Sequence, residues 1–300
     1  MPESTVQEQV RAFYDAVGWK QIGPDVYQNA RYEDLRPVSR DYIHRCHLRF
    51  GRSLPPAGRF FLDAGSGPIQ YPEYLTYSSG YRRRVCLDIS RLALAEARRR
   101  IGGHGLYVIG DISRLPFRRD AFDGGASLHT VHHLPAAEQG KAFAELVRCL
   151  VPGGRVGVVY SWGEHAGIVR LTRPAVWLAE SLRRAARALA RRRPTAEPAE
   201  QGEVETLLHT PGSYTFKHDF AWAEANLRPL GESQILVWRS VSTAMLRVLI
   251  HPFLFGRAAL RLLFALEDLA PAAFGRHGAY STLLVTKVGA EASAPGGVQA

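Results

Sequence analysis

A glycine-containing turn directly after an apolar stretch is the first place where this sequence could bind a ligand. Residues 59–64 (RFFLDA) are typical of a buried strand, and Gly65-Ser66-Gly67-Pro68 follow at once. Glycines in such a turn let the backbone approach a ligand closely and adopt dihedral angles that a Cβ atom would block. A dinucleotide site would need a third glycine three residues after Gly67 to receive a pyrophosphate, but Gln70 stands there. The turn therefore predicts a ligand without a pyrophosphate.

Two carboxylates stand at the ends of the next two predicted strands. Asp88 ends the strand at residues 84–88, where a carboxylate can accept hydrogen bonds from both hydroxyls of a ribose. Asp111 follows the strand at residues 105–109, in position to accept from an adenine amino group. Since the carboxyl ends of parallel strands meet at one edge of a sheet, the turn and both carboxylates converge. Together they predict a binding site for a nucleoside without phosphates.

The elements that must position these residues alternate between short apolar strands and helices from residue 58 to residue 162. This rhythm is typical of a parallel sheet in a doubly wound fold. Strands are predicted at 59–64, 84–88, 105–109, 122–128 and 155–160, and again at 234–239 and 281–287. Helices are predicted at 92–100, 138–150 and 169–190, and a helical, Leu- and Phe-rich segment at 243–274.

These residues resemble the class I S-adenosylmethionine-dependent methyltransferases, most closely their small-molecule, ubiquinone/menaquinone methyltransferase-like branch. The resemblance spans roughly residues 58–162 and rests on residues 61–67, 87–90, 110–117, 122–134 and 150–154. It implies an α/β fold with a Rossmann-like sheet of seven strands, mostly parallel with the last strand antiparallel, and residues 281–287 suit that last strand. It also implies S-adenosyl-L-methionine as the cofactor and S-adenosyl-L-homocysteine as its product.

The resemblance assigns parts of the cofactor to particular residues. Gly65 and Gly67 would flank the methionine part, and Leu128 and His129 would lie beside the sulfonium. Tyr14 resembles an aromatic lid residue, with a helix-core role as the equal alternative. The full set expected at the cofactor is Asp63, Ala64, Gly65, Ser66, Gly67, Asp88, Ile89, Asp111, Ile112, Leu128, His129 and Tyr14.

His132 and His133 are the candidate catalytic residues, because they follow the fourth strand close to the expected point of methyl transfer. A histidine there could take a proton from a phenol or another hydroxyl group, since its pKa lies near neutral pH. The alternative is a packing or capping role, because transfer from a sulfonium mainly needs in-line positioning and exclusion of water. No cluster of His, Cys, Asp and Glu has the spacing of a metal site, so no metal is predicted.

The predicted organisation is an N-terminal helical cap (1–57), a methyltransferase domain (58–289) and a disordered tail (290–300). Two helical insertions, at about 163–213 and 240–278, leave the carboxyl ends of strands and should join the cap at one cavity mouth. These segments are rich in aromatic side chains, most of which are expected to be core residues of a helical cap: Phe13, Tyr14, Trp19, Tyr27, Tyr32, Trp177, Phe253, Phe255 and Phe264. They predict a bulky, lipophilic acceptor that receives the methyl group on oxygen or carbon by direct displacement, such as a quinone-like or specialised metabolite.

The chain is basic, with 38 Lys and Arg against 28 Asp and Glu and a net charge of +10. Arginines between Arg183 and Arg193 could face solvent, contact a membrane surface or bind a nucleic-acid backbone. The alternatives to a small-molecule methyltransferase are therefore an RNA methyltransferase that uses this Arg-rich helix, or a cofactor-binding relative that does not methylate. No nucleic-acid recognition module is visible, so nucleic acid is not the predicted partner.

The compartment is predicted from what the sequence lacks. Cys46, Cys86 and Cys149 form neither a disulfide framework nor a CxxC site, which favours a reducing environment. Neither a secretory signal nor a membrane-spanning stretch is visible. A cytoplasmic protein is expected, with peripheral membrane contact as a further option, and the oligomeric state stays open.

Overall fold

The computed structural model describes residues 5–23, 26–190 and 213–289. Its helices are α1 (Val6–Phe13), α2 (Arg40–Arg52), α3 (Arg91–Ile101), α4 (Ala136–Cys149), α5 (Gly167–Ala190), α6 (Phe220–Leu227), α7 (Thr243–Leu249), α8 (Gly256–Leu269) and α9 (Pro271–His277). Its strands are β1 (Gln21–Gly23), β2 (Val26–Tyr27), β3 (Gly58–Ala64), β4 (Tyr81–Asp88), β5 (Gly105–Ile109), β6 (Phe122–Leu128), β7 (Leu150–Ser161), β8 (Glu232–Arg239) and β9 (Tyr280–Thr286).

Strands β3 to β9 form one seven-stranded sheet in the order β5-β4-β3-β6-β7-β9-β8. Strands β3 to β7 pair in parallel, and β9 runs antiparallel between β7 and β8. The predicted α/β fold class, with its antiparallel strand near residues 281–287, is confirmed. The strand order changes direction between β3 and β6, and a crevice opens there at the carboxyl ends of the strands.

Helices cover both faces of the sheet, because successive residues of a strand point to opposite sides. Leu62 packs on one face with Phe143 of α4 and Leu227 of α6. Its neighbour Phe61 packs on the other face with Leu94 of α3. This double burial explains why the central strands are almost continuously apolar in the sequence.

Strand β7 begins earlier than predicted. Helix α4 ends at Cys149 and β7 begins at Leu150, five residues before the expected start at Arg155. The pairing with β6 is irregular between Phe122 and Gly124, and Gly153 adopts φ +78° there. The strand therefore absorbs the Pro-Gly-Gly sequence in a bulge instead of starting after it.

The second insertion does not build the cavity, contrary to expectation. Leu260 and Phe264 of α8 pack with Tyr42 and Cys46 of α2 in a separate apolar cluster. Phe264 is therefore a core residue, and the tip residues Phe253 and Phe255 are exposed. The expectation fails because the apolar face of α8 is buried against another helix. The N-terminal segment contains the antiparallel strands β1 and β2 as well as helices.

Helix α5 turns much of its apolar stripe outward, with Leu171 82% and Leu182 63% exposed. Arg183 is partly buried and donates hydrogen bonds to Arg247 O at 2.9 Å and to His251 Nε2 at 2.8 Å. These bonds give Arg183 a role inside the fold. The side chains of residues 187–193, residues 194–212 and the predicted tail lie outside the described part. No helix in the described part of the chain is long and apolar enough to span a bilayer.

Candidate active site

The turn after β3 is held close to its neighbours. Gly65 N and Ser66 N both donate to Leu87 O, at 2.7 and 3.1 Å. Gly65 has φ +72°, and a Cβ atom on it would lie 2.3 Å from the side chain of Thr130. Gly67 has φ +55°, and a Cβ atom there would lie 3.1 Å from the Trp19 ring. Both positions therefore need glycine, and the bare backbone lines the cavity.

Asp88 lies beside this turn at the end of β4. Its Oδ2 accepts from Gly67 N at 2.9 Å, and its Oδ1 accepts from Ser90 N at 2.8 Å. Burial raises the pKa of Asp88 to about 6, although the two backbone N–H groups work in the opposite direction. Each carboxylate oxygen keeps a further lone pair, so Asp88 can accept from two ligand hydroxyls as well.

Asp111 lies at the far end of the same half of the site. Its Oδ1 accepts from Ser113 N at 2.8 Å and from Ser113 Oγ at 2.9 Å. Beside it lies a cavity of about 50 Å³, lined also by Leu87, Gly110 and Ile112. A narrow apolar slot with a carboxylate at its rim suits a flat heteroaromatic ring with a polar edge.

A larger cavity of about 480 Å³ adjoins this slot. Both are lined by Gly65, Asp88, Ile89, Thr130 and His133, so the two cavities lie side by side and share these residues. The volume is typical of a pocket for a small molecule. Ser66, Leu128 and His129, three further predicted site residues, also line the larger part.

The N-terminal segment forms one wall of the cavity. Tyr14 starts a π-helical turn after α1 and stacks on Trp19 with ring centroids 4.8 Å apart. Its hydroxyl lies 2.9 Å from His133 Nε2. The adjacent Asp15 is hydrogen-bonded to Ser90 Oγ, beside Asp88. Tyr14 therefore lines the cavity, as a lid residue would, and ties the N-terminal segment to the strand ends.

His133 and His132 both line the cavity, but burial makes them weak bases. The Nδ1 atom of His133 lies 2.8 Å from the carbonyl oxygen of Tyr214, so it carries the proton and Nε2 accepts from Tyr14. Burial lowers the pKa of His133 to about 4 and holds that of His132 well below its ordinary value. At neutral pH both rings are uncharged. The arrangement favours packing and positioning over proton abstraction.

His129 follows β6 in a strained backbone conformation with φ +57°. Its N–H donates to Val159 O at 3.1 Å, which fixes this conformation. Its ring packs edge-on against Trp238 and Tyr280, with centroids 4.8 and 5.6 Å away. Burial lowers its pKa to about 3. Non-glycine residues with positive φ are concentrated at functional sites.

Two residues expected at the cofactor lie beneath the cavity instead. Asp63 is buried and ion-paired with Arg84, whose Nε lies 3.0 Å from Asp63 Oδ2. Ala64 is fully buried in the core of the sheet. Neither lines the cavity, because β3 ends one residue below the exposed turn. Asp63 therefore supports the turn from below.

The cavity wall also holds charged residues that were not predicted from the sequence. Glu33 and Arg239 line it, and His47 lies below, 3.4 Å from Glu33 and 3.5 Å from Glu73. Burial alone would raise the pKa of Glu33, but the nearby His47 and Arg239 outweigh it and the pKa is lowered. Of these residues, only Arg239 could have been selected from the sequence as a site candidate, because it ends a predicted strand. In the described residues, no cluster of three or more His, Cys, Asp or Glu could hold a metal.

Residues 62–158 match a family described as a methyltransferase domain. The chain is 26% identical over 164 residues to a phthiotriol/phenolphthiotriol dimycocerosates methyltransferase of Mycobacterium ulcerans, which covers 50% of this chain and 59% of that protein. It is 29% identical over 181 residues to a ubiquinone/menaquinone biosynthesis C-methyltransferase of Methylococcus capsulatus, covering 57% of this chain and 66% of the relative. The alignments thus span less than two thirds of these relatives.

The fold is also similar to that of phosphoethanolamine N-methyltransferase 1 of Haemonchus contortus, solved with phosphoethanolamine and S-adenosylhomocysteine. The TM-score is 0.58 at 14% identity, and the match covers 97% of this chain and 51% of the other. At this identity the likeness concerns the fold alone.

Proposed function

Because this chain belongs to the class I S-adenosylmethionine-dependent methyltransferases, we propose that it transfers a methyl group to an oxygen or carbon atom of a small lipophilic metabolite. The acceptor class includes quinone-like and other specialised metabolites, in line with the relatives named for ubiquinone, menaquinone and phthiotriol methylation. The arrangement of the cavity supports this proposal most directly, since its nucleoside part and its larger part share Thr130 and His133 as lining residues.

The residues present fit the cofactor. The positive-φ glycines leave open backbone where a Cβ atom would collide with Thr130 or Trp19. Asp88 would accept from the ribose hydroxyls, and Asp111 would face the adenine. When bound, S-adenosylmethionine supplies an electrophilic methyl carbon on a positively charged sulfur. The three histidines at 129, 132 and 133 are uncharged at neutral pH, so they do not repel that charge.

Aromatic side chains make the larger part of the cavity suitable for a lipophilic acceptor. Tyr14, Trp19, Tyr32, Tyr71 and Tyr280 line it. Of the aromatic residues singled out in the sequence, Phe13, Tyr27, Trp177, Phe253, Phe255 and Phe264 do not line it. The Tyr14 lid would exclude water from the transfer step, which needs in-line approach more than a base.

Calorimetric titration with S-adenosylhomocysteine tests the cofactor site. The wild type should bind one equivalent, and Asp88→Asn should weaken binding by about 100-fold, because hydrogen bonds from two ribose hydroxyls to a carboxylate are lost. Asp120→Asn is the matched control. That carboxylate pairs with Lys287 at the opposite edge of the sheet and should leave the affinity unchanged.

The acceptor is tested next, with radiolabelled S-adenosylmethionine and a panel of quinols, phenols and fatty alcohols. Transfer to members of this panel supports the proposal. Transfer to bulk RNA alone would favour the RNA methyltransferase alternative. Folded wild type that does not bind S-adenosylhomocysteine would contradict the proposed function altogether.

A further inference from the structure

Arg239 is a buried cation at the edge of the sheet where the cavity lies. It is the last residue of β8, which runs in the same direction as β3 and β6, because β9 reverses between them. Its side chain is part of the cavity lining although the residue is only 1% exposed. The charge is therefore held inside the protein, against the space expected to receive the acceptor.

Two aromatic rings fix the guanidinium in place. Its central carbon lies 4.6 Å from the ring centroid of Tyr280 and 5.4 Å from that of Trp238. Such cation–π contacts are attractive and restrict the side chain. His129 packs against the same two rings and also lines the larger part of the cavity, so both side chains belong to one cluster at this wall.

Most of the hydrogen-bonding capacity of this guanidinium is unused within the described residues. Nη2 donates to Thr243 Oγ1 at 3.1 Å. Nε and Nη1 are buried and have no hydrogen-bond partner among the described residues. Glu33, the carboxylate that lines the same end of the cavity, forms its ion pair with His47.

A buried guanidinium is costly unless its N–H groups find acceptors, because it has lost its hydration. The other large buried arginines of the described part differ in this respect. Arg84 is paired with Asp63, and Arg49 with Glu267. Of these three arginines, only Arg239 lines the cavity, and it forms no ion pair among the described residues, so a ligand in the cavity could supply the missing acceptor.

We propose that Arg239 binds an ionised oxygen of the methyl acceptor: a carboxylate, a phosphate, or the anion of a phenol or enol. The inference rests on the proposed function and refines its substrate class, from a lipophilic molecule to a lipophilic acid. With a phenol or enol, the guanidinium would stabilise the deprotonated form of the acceptor. The buried histidines would then not be needed as bases.

Binding of naphthalene probes to the protein saturated with S-adenosylhomocysteine tests this inference. The probes are 2-naphthoate, 2-naphthyl phosphate, 2-naphthol and the neutral 2-methylnaphthalene, which share one ring system. The wild type should bind at least one of the acidic probes about ten-fold or more tighter than 2-methylnaphthalene, as a charge-assisted hydrogen bond provides. The preferred probe identifies whether the oxygen belongs to a carboxylate, a phosphate or a phenol. Comparing the binding heat of 2-naphthol in two buffers of different ionisation enthalpy shows whether a proton is released, and thus whether the naphthol binds as its anion.

Arg239→Gln should remove this preference and leave binding of 2-methylnaphthalene unchanged, whereas Arg239→Lys should retain part of it. Arg276→Gln is the matched control. That arginine lies over Phe220, is exposed and does not line the cavity, so the preference should persist. A purely structural role for Arg239 would instead weaken acidic and neutral probes alike, and that result would overturn the inference.

The carboxylate of the cofactor is a second anionic group that Arg239 could bind instead of the acceptor. If Arg239 binds it, Arg239→Gln will lose about ten-fold in affinity for S-adenosylhomocysteine while the probe preference stays, and the inference is wrong. Equal binding of all probes, or binding of none by a protein that holds S-adenosylhomocysteine, also overturns it. If the wild type does not bind S-adenosylhomocysteine, the proposed function itself fails, and this outcome is distinguishable from failure of the inference about Arg239.

Discussion

The nucleoside part and the acceptor part of the cavity are held together in different ways. In the nucleoside part, the two carboxylates accept from backbone N–H groups of nearby motif residues. Asp88 binds Gly67 and Ser90, and Asp111 binds Ser113. Local turns thus position each functional group, and only one of these three bonds links distant residues.

The acceptor part is assembled from segments far apart in the chain. Glu33 belongs to the N-terminal segment, His47 to α2 and Arg239 to the end of β8. Buried atoms here lack hydrogen-bond partners among the described residues, including Glu33 Oε2 and Arg239 Nε. A cofactor that many enzymes share requires a fixed, self-supporting frame, whereas the groups that we propose for the acceptor come together only in the tertiary fold.

The largest expected effect tests whether the nucleoside part depends on an ion pair beneath it. Arg84→Met leaves the buried Asp63 carboxylate unpaired, so the free energy of unfolding should fall by about 3–5 kcal/mol. The double variant Arg84→Met/Asp63→Leu removes both charges and should recover most of this loss. Urea denaturation measures both.

The same double variant decides the role of Asp63. Because Asp63 lies below the cavity, the double variant should bind S-adenosylhomocysteine like the wild type. A stable double variant that has lost cofactor affinity would instead assign Asp63 to the cofactor site.

A smaller effect is expected at the turn. Gly65→Ala places a methyl group against Thr130 and forces a positive φ, so it should cost about 2–3 kcal/mol of stability and abolish S-adenosylhomocysteine binding. Gly153→Ala is the matched control, because Gly153 has φ +78° but no atom within 4 Å of the added Cβ. It should cost about 1 kcal/mol and leave binding intact. Equal effects of the two substitutions would show that the turn is not a close-approach site.

The smallest expected effect is the pH dependence of cofactor binding. Burial raises the pKa of Asp88 to about 6, so the carboxylate that accepts from the ribose is present above that pH and is lost as the pH falls. Affinity for S-adenosylhomocysteine should be constant near pH 8 and decrease below about pH 6, by up to about ten-fold per unit. Asp88→Asn should bind weakly at every pH, without this transition. A transition that persists in the variant would assign it to another group.

Much of the nucleoside part could be predicted from the sequence. The glycines at 65 and 67 and the carboxylates at 88 and 111 all line the cavity, because strand ends and turn glycines are local features with fixed consequences. Asp63 could not be resolved in this way. Its position next to the turn is clear from the sequence. Its pairing with Arg84 depends on the register between β3 and β4, which decides which residue of β4 lies close to Asp63.

The acceptor part was beyond the sequence for a different reason. His47 lies in an amphipathic helix, and nothing in its spacing shows that it will meet Glu33. The aromatic residues of the second insertion were expected at the cavity, but the apolar face of α8 packs on α2 instead. Apolar periodicity shows that a face is buried, not which surface covers it.

The sequence by itself therefore determined the α/β fold, the strand ends at which the functional residues stand, and the chemistry of the nucleoside site. These follow from backbone conformation and from hydrogen bonds between motif residues. Only the tertiary structure decided that Tyr14 reaches His133 and that desolvation makes the histidines weak bases. It also decided that Arg239 lines the cavity with two nitrogens that have no hydrogen-bond partner among the described residues. Burial and long-range contact set these properties, because desolvation depends on every segment that packs around a group and not on its neighbours in the chain.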